Sequence, residues 1–359
     1  MSETMSDAVI QTPTPRHYLA ANARRFAYRP DVQSLFDTAT LFRREHQVPP
    51  AAADPRRTHL VLIDAQRDFC FPEGTLYVGG RSGQGAIEDN DRTARFIYQN
   101  LATISEITCT LDSHLPFQIF FAPFWVDRSG EPLTPHRTIS VDEIRAGDVR
   151  PNPDVGSAVR APDIAWLTKQ VLFYAESLAK AGKYVLYLWP PHVLLGGDGH
   201  SLVGVIQEAR LFHAYVRSAR NGVEIKGMNA LTENYSVFSP EVLLTHDGGS
   251  LATRNGALID SLLLEDRLII AGQASSHCVK SSIDDLLDAI QAKDPGLARR
   301  VYVLEDAMSA VAVPNPEIPG TFFADFTDAA QNALGRYHDA GMHVVRTTTP
   351  VSEWPGFLE

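Results

Sequence analysis

The chain contains a series of short apolar runs that alternate with longer stretches of helical periodicity. The runs lie at residues 59–63, 104–111, 184–188, 268–271, 301–304 and 342–345, and the helix-like stretches at 91–101, 164–181 and 327–340. Uninterrupted apolar runs of this length are typical of parallel strands that are buried on both faces. Because strands alternating with helices favour one sheet covered on both sides, the sequence predicts an α/β fold with a doubly wound, mostly parallel sheet of about six strands.

Polar residues follow four of these runs. Asp64 comes directly after the first run, Asp112 and His114 after the second, His192 after the third, and Cys278 shortly after the fourth. The carboxyl ends of parallel strands meet at one edge of a sheet, where open α/β proteins place their ligand sites. The sequence therefore predicts a functional cleft at this edge.

Cys278 lies where the fourth run turns into a helix. After it, apolar residues recur at helical spacing at positions 279, 283, 286, 287 and 290, and Ser282 lies on the same face. A thiol at a helix N-terminus lies in a positive local field, which is expected to lower its pKa and to favour a nucleophilic thiolate. The alternative interpretation is a small buried hydrophobe, because most free cysteines are of that kind.

Composition narrows the class of partner. The 359 residues carry a net charge of −11, which disfavours nucleic acid and anionic membranes because both bind basic surfaces. No apolar run reaches the length of about 18 residues that a membrane span needs, so a small-molecule partner is expected. Three cysteines without a CxxC pair, and no apolar signal segment, predict a reducing cytoplasm.

Two segments fall outside the strand–helix alternation. Residues 1–55 mix basic residues with Pro and Ala, and we expect an N-terminal arm with one or two short helices. Residues 56–359 are then the main domain. Within it, the segment 124–162 is rich in Pro, Arg, Asp and Gly, which predicts an inserted loop or lid over the site.

Six motifs in order give the chain a resemblance to a known family. They are LVLIDAQRDFCFPEGTL at 60–76, LDSH at 111–114, WPPH at 189–192, KGMNALTENYSVF at 226–238, AGQASSHCVKSSIDD at 271–285 and VYVLEDAMSAV at 301–311. Together they resemble the isochorismatase-like cysteine hydrolases, and within them the nicotinamidases. The resemblance covers roughly residues 58–350 and implies the isochorismatase-like version of the α/β fold.

The resemblance implies a catalytic set. Asp64, Lys226 and Cys278 match the family's catalytic Asp, Lys and Cys, whose chemistry is acyl transfer through a thioester. It also implies a cis peptide between Gln273 and Ala274, with the N–H groups of Ala274 and Cys278 stabilising the oxyanion. A plain buried ion pair between Asp64 and Lys226 is the alternative.

A metal site is the next implication. Asp112 and His114 are two residues apart and can share a face, and His192 would complete the ligand set. In nicotinamidases a divalent metal binds the substrate's pyridine nitrogen, and zinc is expected here, with iron or manganese also compatible with N and O ligands. The sequence departs from many family members at Gln118, where they carry a further histidine. A histidine at a strand end is otherwise more often simply hydrogen-bonded than metal-bound.

The resemblance also assigns a substrate pocket. Phe69 and Trp189 match residues that sandwich the nicotinamide ring, while Tyr235 and His277 are expected to shape the same pocket. Core packing is the alternative for these aromatic residues. A Cys–His dyad formed by His277 and Cys278 is disfavoured, because adjacent residues at a helix start project in different directions.

The sequence as a whole predicts an amidohydrolase that releases ammonia from nicotinamide or a related heteroaromatic carboxamide. A metal-independent N-carbamoyl or ureido amidohydrolase of the same superfamily is the first alternative. A small-molecule binding protein that has kept the fold without turnover is the second. A homo-oligomer is expected from the family, with the N-terminal arm as an interface element.

Overall fold

The computed structural model describes residues 11–182 and 184–359. The strands are β1 Thr58–Ile63, β2 Glu106–Asp112, β3 Trp125–Asp127, β4 Arg137–Ile139, β5 Val149–Pro151, β6 Leu186–Leu188, β7 Asn221–Lys226, β8 Arg267–Gly272, β9 Val301–Leu304, β10 Ala312–Pro314, β11 Phe322–Asp325 and β12 His343–Val345. The helices are α1 Val32–Glu45, α2 Arg67–Cys70, α3 Gly85–Gln99, α4 Val141–Ala146, α5 Ile164–Ala181, α6 Gly204–Arg217, α7 Gly256–Leu262, α8 Cys278–Lys293 and α9 Thr327–Asp339.

Six of these strands form one parallel sheet in the order β12-β9-β8-β1-β2-β7. Strand β1 lies in its middle, and all six of its residues are buried. Its side chains alternate between two apolar clusters, with Leu60 and Leu62 in one and Val61 and Ile63 in the other. Helices α1, α3, α5 and α6 contribute to the first cluster and α7, α8 and α9 to the second. The predicted α/β fold with helices on both faces is confirmed.

One predicted strand was wrong. The run at 184–188 does not join the parallel sheet, because its residues Leu186–Leu188 form β6, which pairs antiparallel with β4. The sixth position belongs to β7, which pairs with β2 at the edge. Strand β7 reads NGVEIK, and most of its residues are partly or fully exposed. An edge strand of that kind has no continuous apolar run, so the apolar pattern did not reveal it.

The helix predictions agree closely with the structure where local signals were strong. The stretch 164–181 is α5, where the Asp163 side chain accepts a hydrogen bond from the Trp166 N–H at the N-terminus. Gly182 ends this helix in the left-handed conformation. The stretches 91–101 and 327–340 correspond to α3 and α9. Helix α6 and the short α7 carried no prediction. Among the described residues, no helix is long and apolar enough to cross a bilayer.

The two segments outside the alternation both pack against the rest of the chain. Residues 1–10 of the predicted arm lie outside the described residues, and the remainder contains α1, which buries Leu35, Ala39 and Phe42 against the core. The segment 124–162 holds β3, β4, β5 and α4 and buries Trp125 and Ile139 in the same cluster. Its strand β4 pairs with β6, so this segment lies beside the chain that leads to Trp189.

Candidate functional site

Four charged or nucleophilic residues converge at the carboxyl edge of the sheet. Asp64 follows β1, Asp112 ends β2, and Lys226 ends β7, where the register pairs it directly with Asp112. Cys278 opens α8, after the turn that follows β8. Gly272 makes that turn possible, since a Cβ there would lie 2.0 Å from the Ile63 carbonyl oxygen.

Lys226 is the centre of the arrangement. Its Nζ lies 2.9 Å from Asp64 Oδ2, 3.0 Å from Asp112 Oδ1 and 3.6 Å from Cys278 Sγ, and it donates to the Asn234 carbonyl oxygen at 2.8 Å. All of the three charged side chains are buried. Burying a charged side chain costs free energy unless an opposite charge lies beside it, and here the ammonium of Lys226 offsets the two carboxylates. The structure therefore brings the three predicted catalytic residues together.

The protonation of Cys278 differs from the sequence-based expectation. Burial raises the pKa of the Cys278 thiol well above its ordinary value, and the neighbouring Asp64 and Asp112 raise it further, while Lys226 opposes them. The prediction of a lowered pKa was wrong because it counted only the helix N-terminus and left out desolvation and the two carboxylates. The direction of this shift favours the thiol form of Cys278.

Asp64 lies beside the Cys278 thiol. Burial raises the pKa of Asp64, and Lys226 opposes this effect. The Thr110 hydroxyl donates to Asp64 Oδ1, and the Asp64 N–H donates to Thr110 Oγ1 at 3.0 Å. Thr110 thus fixes the carboxylate from the neighbouring strand, a role that an isolated threonine in an apolar run did not suggest.

The turn before Cys278 contains the expected cis peptide between Gln273 and Ala274. The Gln273 side chain is held by buried Asp89, which accepts from Gln273 Nε2 at 2.8 Å. Asp89 also accepts from the Ser309 hydroxyl at 2.6 Å, and the Ser309 N–H donates to Gln273 Oε1 at 3.1 Å. Among the residues described, the N–H groups of Ala274 and Cys278 have no protein acceptor. Both are therefore open to an incoming oxyanion.

The three predicted metal ligands also come together. One potential ligand atom from each of Asp112, His114 and His192 lies within 4.8 Å of the others. His114 Nε2 is 3.0 Å from Asp112 Oδ2, while His114 Nδ1 donates to the Gly227 carbonyl oxygen at 3.1 Å. His192 Nδ1 donates to the Pro190 carbonyl oxygen at 2.8 Å. Both rings thus use Nδ1 for a backbone carbonyl, as metal-bound histidines usually do, which leaves Nε2 as the ligand nitrogen; that of His114 lies on Asp112.

The charge states of Asp112 and His192 suit a divalent cation. Burial lowers the pKa of His192 to about 3, so its ring is neutral. Burial alone would raise the pKa of Asp112, but His114 and Lys226 outweigh it and the net direction is downward. Metal ligands must be neutral imidazoles and ionised carboxylates. The donor set fits a divalent metal with N and O preferences, zinc, iron and manganese included.

Gln118 does not join this ligand set. It is fully buried, and its Nε2 donates to the Gly227 carbonyl oxygen at 3.0 Å, 3.4 Å from His114 Nδ1. That is the side of the His114 ring opposite the Nε2 that faces Asp112. The Gln118 amide therefore packs against the Nδ1 side of the His114 ring.

Asp68 anchors the loop that carries His192. It is buried, and its Oδ2 accepts from the Val193 N–H at 2.6 Å while its Oδ1 accepts from the Thr75 N–H at 3.1 Å. Gly199 packs so closely on this carboxylate that a Cβ would lie 2.2 Å from it. Asp68 stood in a quoted motif, but nothing in its neighbours along the sequence indicated a partner 125 residues away.

The predicted pocket residues surround the nucleophile. Phe69, Trp189, Tyr235 and His277 line one small cavity together with Cys278. Trp189 Nε1 donates to the Tyr235 hydroxyl at 3.0 Å, and the His277 ring lies 5.5 Å from the Trp189 ring and 5.2 Å from the Tyr235 ring.

Glu233 lines the same cavity and was not predicted. It is buried, and its Oε2 accepts from the Tyr184 hydroxyl at 3.2 Å. Burial raises the pKa of Glu233 well above its usual range, while a hydrogen bond with Tyr235 opposes this effect. Its position inside the KGMNALTENYSVF motif was the one signal that the sequence offered.

Comparison with known proteins finds similarity to solved structures alone. No family model matches the chain, and no curated protein matches it. The structure of yeast nicotinamidase Pnc1p bound to the inhibitor nicotinaldehyde is 18% identical and aligns over 80% of this chain and 99% of that one, with a TM-score of 0.49. The Acinetobacter baumanii nicotinamidase/pyrazinamidase is 18% identical over 82% and 98%, with a TM-score of 0.45. N-carbamoylsarcosine amidase from Thermoplasma acidophilum is 15% identical over 82% and 98%, with a TM-score of 0.37.

Proposed function

We propose that this chain is an isochorismatase-like cysteine amidohydrolase that releases ammonia from nicotinamide or a related heteroaromatic carboxamide. The observation that carries the proposal is the position of the Lys226 ammonium. Within 3.6 Å it has a nucleophile, Cys278, and two carboxylates, Asp64 and Asp112. A structural ion pair explains the lysine and a carboxylate but gives no reason for a thiol beside them, at the mouth of a cavity.

Acylation starts from the thiol form of Cys278. As Sγ attacks the amide carbon, the thiol proton passes to Asp64, and the carbonyl oxygen becomes an oxyanion. Collapse of this intermediate breaks the C–N bond, and Asp64 returns the proton to the leaving nitrogen. Ammonia leaves, and the acyl group remains on Cys278 as a thioester.

Two features stabilise the charges that this step creates. The free N–H groups of Ala274 and Cys278 are the donors for the oxyanion. Lys226 keeps its positive charge, because Asp112 and Asp64 outweigh burial and raise its pKa. Its ammonium thus stabilises the negative sulfur of Cys278 while the proton is on Asp64.

Deacylation uses the same residues in reverse. A water molecule attacks the thioester carbon, Asp64 takes its proton, and the oxyanion again lies at the two N–H groups. Breaking of the C–S bond returns the proton to Cys278 and releases the carboxylic acid. The net reaction is amide plus water to acid plus ammonia.

A divalent metal would be held by Asp112, His114 and His192. When bound it supplies a Lewis acid for a ring nitrogen of the substrate. The chain's own residues do the rest of the positioning, since the His114 and His192 Nδ1 atoms are fixed on backbone carbonyls. This ligand set favours a pyridine or pyrazine carboxamide over a ureido substrate, whose hydrolysis in this superfamily needs no metal.

The test is ammonia release from nicotinamide by purified protein with its metal as isolated. Cys278→Ala should lose at least about a thousandfold of kcat/KM, since it removes the nucleophile. Cys109→Ala is the matched control, because Cys109 is buried in β2, where burial raises the pKa of its thiol to about 11. Release that persists in Cys278→Ala would rule out the thioester route. Release from an N-carbamoyl substrate but from no heteroaromatic carboxamide would favour the ureido amidohydrolase instead.

A further inference from the structure

The nucleophile lies in a cavity that is smaller than the proposed substrate. The cavity around Cys278 has a volume of about 30 Å³, which is space for roughly two water molecules. A larger cleft of about 590 Å³ lies next to it, within the range of about 300–1,000 Å³ that small-molecule sites occupy. The cleft is therefore the adjoining space with room for a group larger than the small cavity holds.

Three aromatic side chains separate the two spaces. We call them the aromatic partition: Trp189, Tyr235 and His277 line both the small cavity and the cleft. They contact one another through the 3.0 Å hydrogen bond and the ring contacts described above. Because the same three side chains line both spaces, the cleft adjoins the cavity that contains Cys278.

We propose that the cleft beyond the aromatic partition is a substrate subsite. It takes the distal part of an aromatic carboxamide whose acyl group carries a second ring, neutral or cationic. The inference rests on the proposed function for the attack by Cys278, and it deepens that function by naming the substrate class.

The lining of the cleft favours a second ring. Tyr187 lies 4.4 Å from the Trp189 ring, and Phe326 lies 4.7 Å from the His277 ring, both as centroid distances. Tyr184 continues the band at 5.3 Å from Tyr235. A flat ring entering this band gains offset or edge-to-face contacts on several sides.

The charged residues of the cleft determine which charge the distal part of the substrate can carry. Its lining has more acidic than basic residues, with Glu241, Asp284, Asp285 and Asp288 against Lys280 and Arg336. Both cations lie on one carboxylate, Asp284, at 2.8 Å and 3.0 Å. An anionic extension would therefore be repelled, whereas a neutral or cationic one is accepted.

The direction of the cleft also matches an elongated substrate. Helix α8 starts at Cys278, and its positions 280, 281, 284, 285 and 288 line the cleft. Position 288 is ten residues beyond Cys278, which is about 15 Å along a helix axis. The far side comes from Thr138 of β4 and Tyr187 of β6. The antiparallel pair formed with the inserted segment thus builds part of the subsite.

Labelling of Cys278 tests the subsite without requiring turnover. The probes are 2-chloroacetamide and its N-(biphenyl-4-yl) derivative. The rate of Cys278 alkylation by each probe is measured by mass spectrometry of the Cys278 peptide. Each rate is then divided by the rate at which the same probe reacts with glutathione. In the wild type the biphenyl probe should be favoured about tenfold, from ring contacts in the cleft. Ala329→Trp should abolish this preference, because Ala329 is exposed on α9 and faces into the cleft.

Two further variants make the labelling result decisive. Thr138→Trp fills the cleft from the opposite side and should act as Ala329→Trp does. Gln331→Trp is the matched control, since Gln331 is exposed on α9 outside the cleft lining and should keep the preference. Equal normalised rates for the two probes in the wild type would overturn the proposal, and so would a preference that survives both cleft-filling variants.

Turnover then separates this inference from the proposed function. For the wild-type protein, kcat/KM with 5-phenylnicotinamide should be about tenfold above that with nicotinamide. The Ala329→Trp variant should show no such gain. The wild type should also show no gain with the anionic analogue 5-(4-carboxyphenyl)nicotinamide. Nicotinamide turnover without any gain from the phenyl group would overturn the subsite and leave the amidase standing. The labelling pattern without ammonia from any carboxamide would support the cleft as a ligand site and refute the amidase.

Discussion

Two clusters at opposite edges of the sheet each bring three potential metal ligands together, two histidines and one carboxylate in the first and one histidine and two carboxylates in the second. At the carboxyl edge is the Asp112 cluster, formed by Asp112, His114 and His192, and at the other edge the His59 cluster, formed by His59, Glu106 and Glu265. In each, one potential ligand atom per residue lies within 4.8 Å of the others. Strand β2 runs between the two edges and contributes to both clusters, with Glu106 at its start and Asp112 at its end.

The second partner of each side chain distinguishes the two clusters. In the His59 cluster, Arg57 bonds to Glu106 at 3.2 Å and to Glu265 at 3.0 Å, and His59 Nε2 lies 2.8 Å from the Thr108 hydroxyl. A guanidinium thus already compensates the carboxylates. In the Asp112 cluster Lys226 likewise lies 3.0 Å from Asp112, but both histidines hold a backbone carbonyl through Nδ1, which leaves Nε2 as the ligand nitrogen of each ring. The comparison teaches that ligand type and spacing alone do not single out a candidate metal site, and that the hydrogen bonds behind the ligands favour the Asp112 cluster.

The largest difference should appear when the cation beside each cluster is removed. Lys226→Met leaves two buried carboxylates without their ammonium and should lower the free energy of unfolding by about 3–5 kcal/mol. Arg57→Met should lower it by about 1 kcal/mol or less, because the Arg57 side chain is 43% exposed. Urea unfolding of both variants against the wild type measures the two values. Equal losses would mean that the two clusters are structural ion pairs of one kind.

Metal content should separate the clusters next. His192→Ala should weaken binding of a divalent ion by more than about a hundredfold, since even loss of an outer hydrogen bond to a ligand costs 10–100-fold. His59→Ala should leave the metal content unchanged. The measurement is elemental analysis after dialysis against a weak chelator, followed by zinc titration of the stripped proteins. A zinc site lost in His59→Ala but retained in His192→Ala would reverse the assignment of the two clusters.

The sequence predicted features that depend on neighbours along the chain. The apolar runs of β1 and β8 and the helical stretch 164–181 of α5 are local signals, and the structure agrees with them. The edge strand β7 is half exposed and has no such run, and the apolar run at 184–188 predicts a sixth parallel strand where the structure has the antiparallel β6. A strand at an edge needs only one apolar face, and its polar residues hide it from a search for buried runs.

The site shows the same limit at the level of single residues. The convergence of Asp64, Lys226 and Cys278 followed from family-like motifs at strand ends. The supporting contacts of Thr110 and Asp68 did not, because each depends on a partner that is distant in sequence. Side chains behind a site become visible only when the register of the strands and the loops is known.

The protonation of Cys278 gives the finest test of the difference between the two edges. Burial, Asp64 and Asp112 raise the pKa of Cys278, and Lys226 opposes them. In metal-stripped protein, alkylation by iodoacetamide should therefore rise at higher pH than for a free cysteine. A negative neighbour disfavours the thiolate, so Asp64→Asn should move the profile to lower pH and Lys226→Met to higher pH. Glu106→Gln removes a carboxylate at the opposite edge and should leave the profile in place. A wild-type profile at or below that of free cysteine would mean that the resting nucleophile is already a thiolate, and Asp64 would then have no proton to take in acylation.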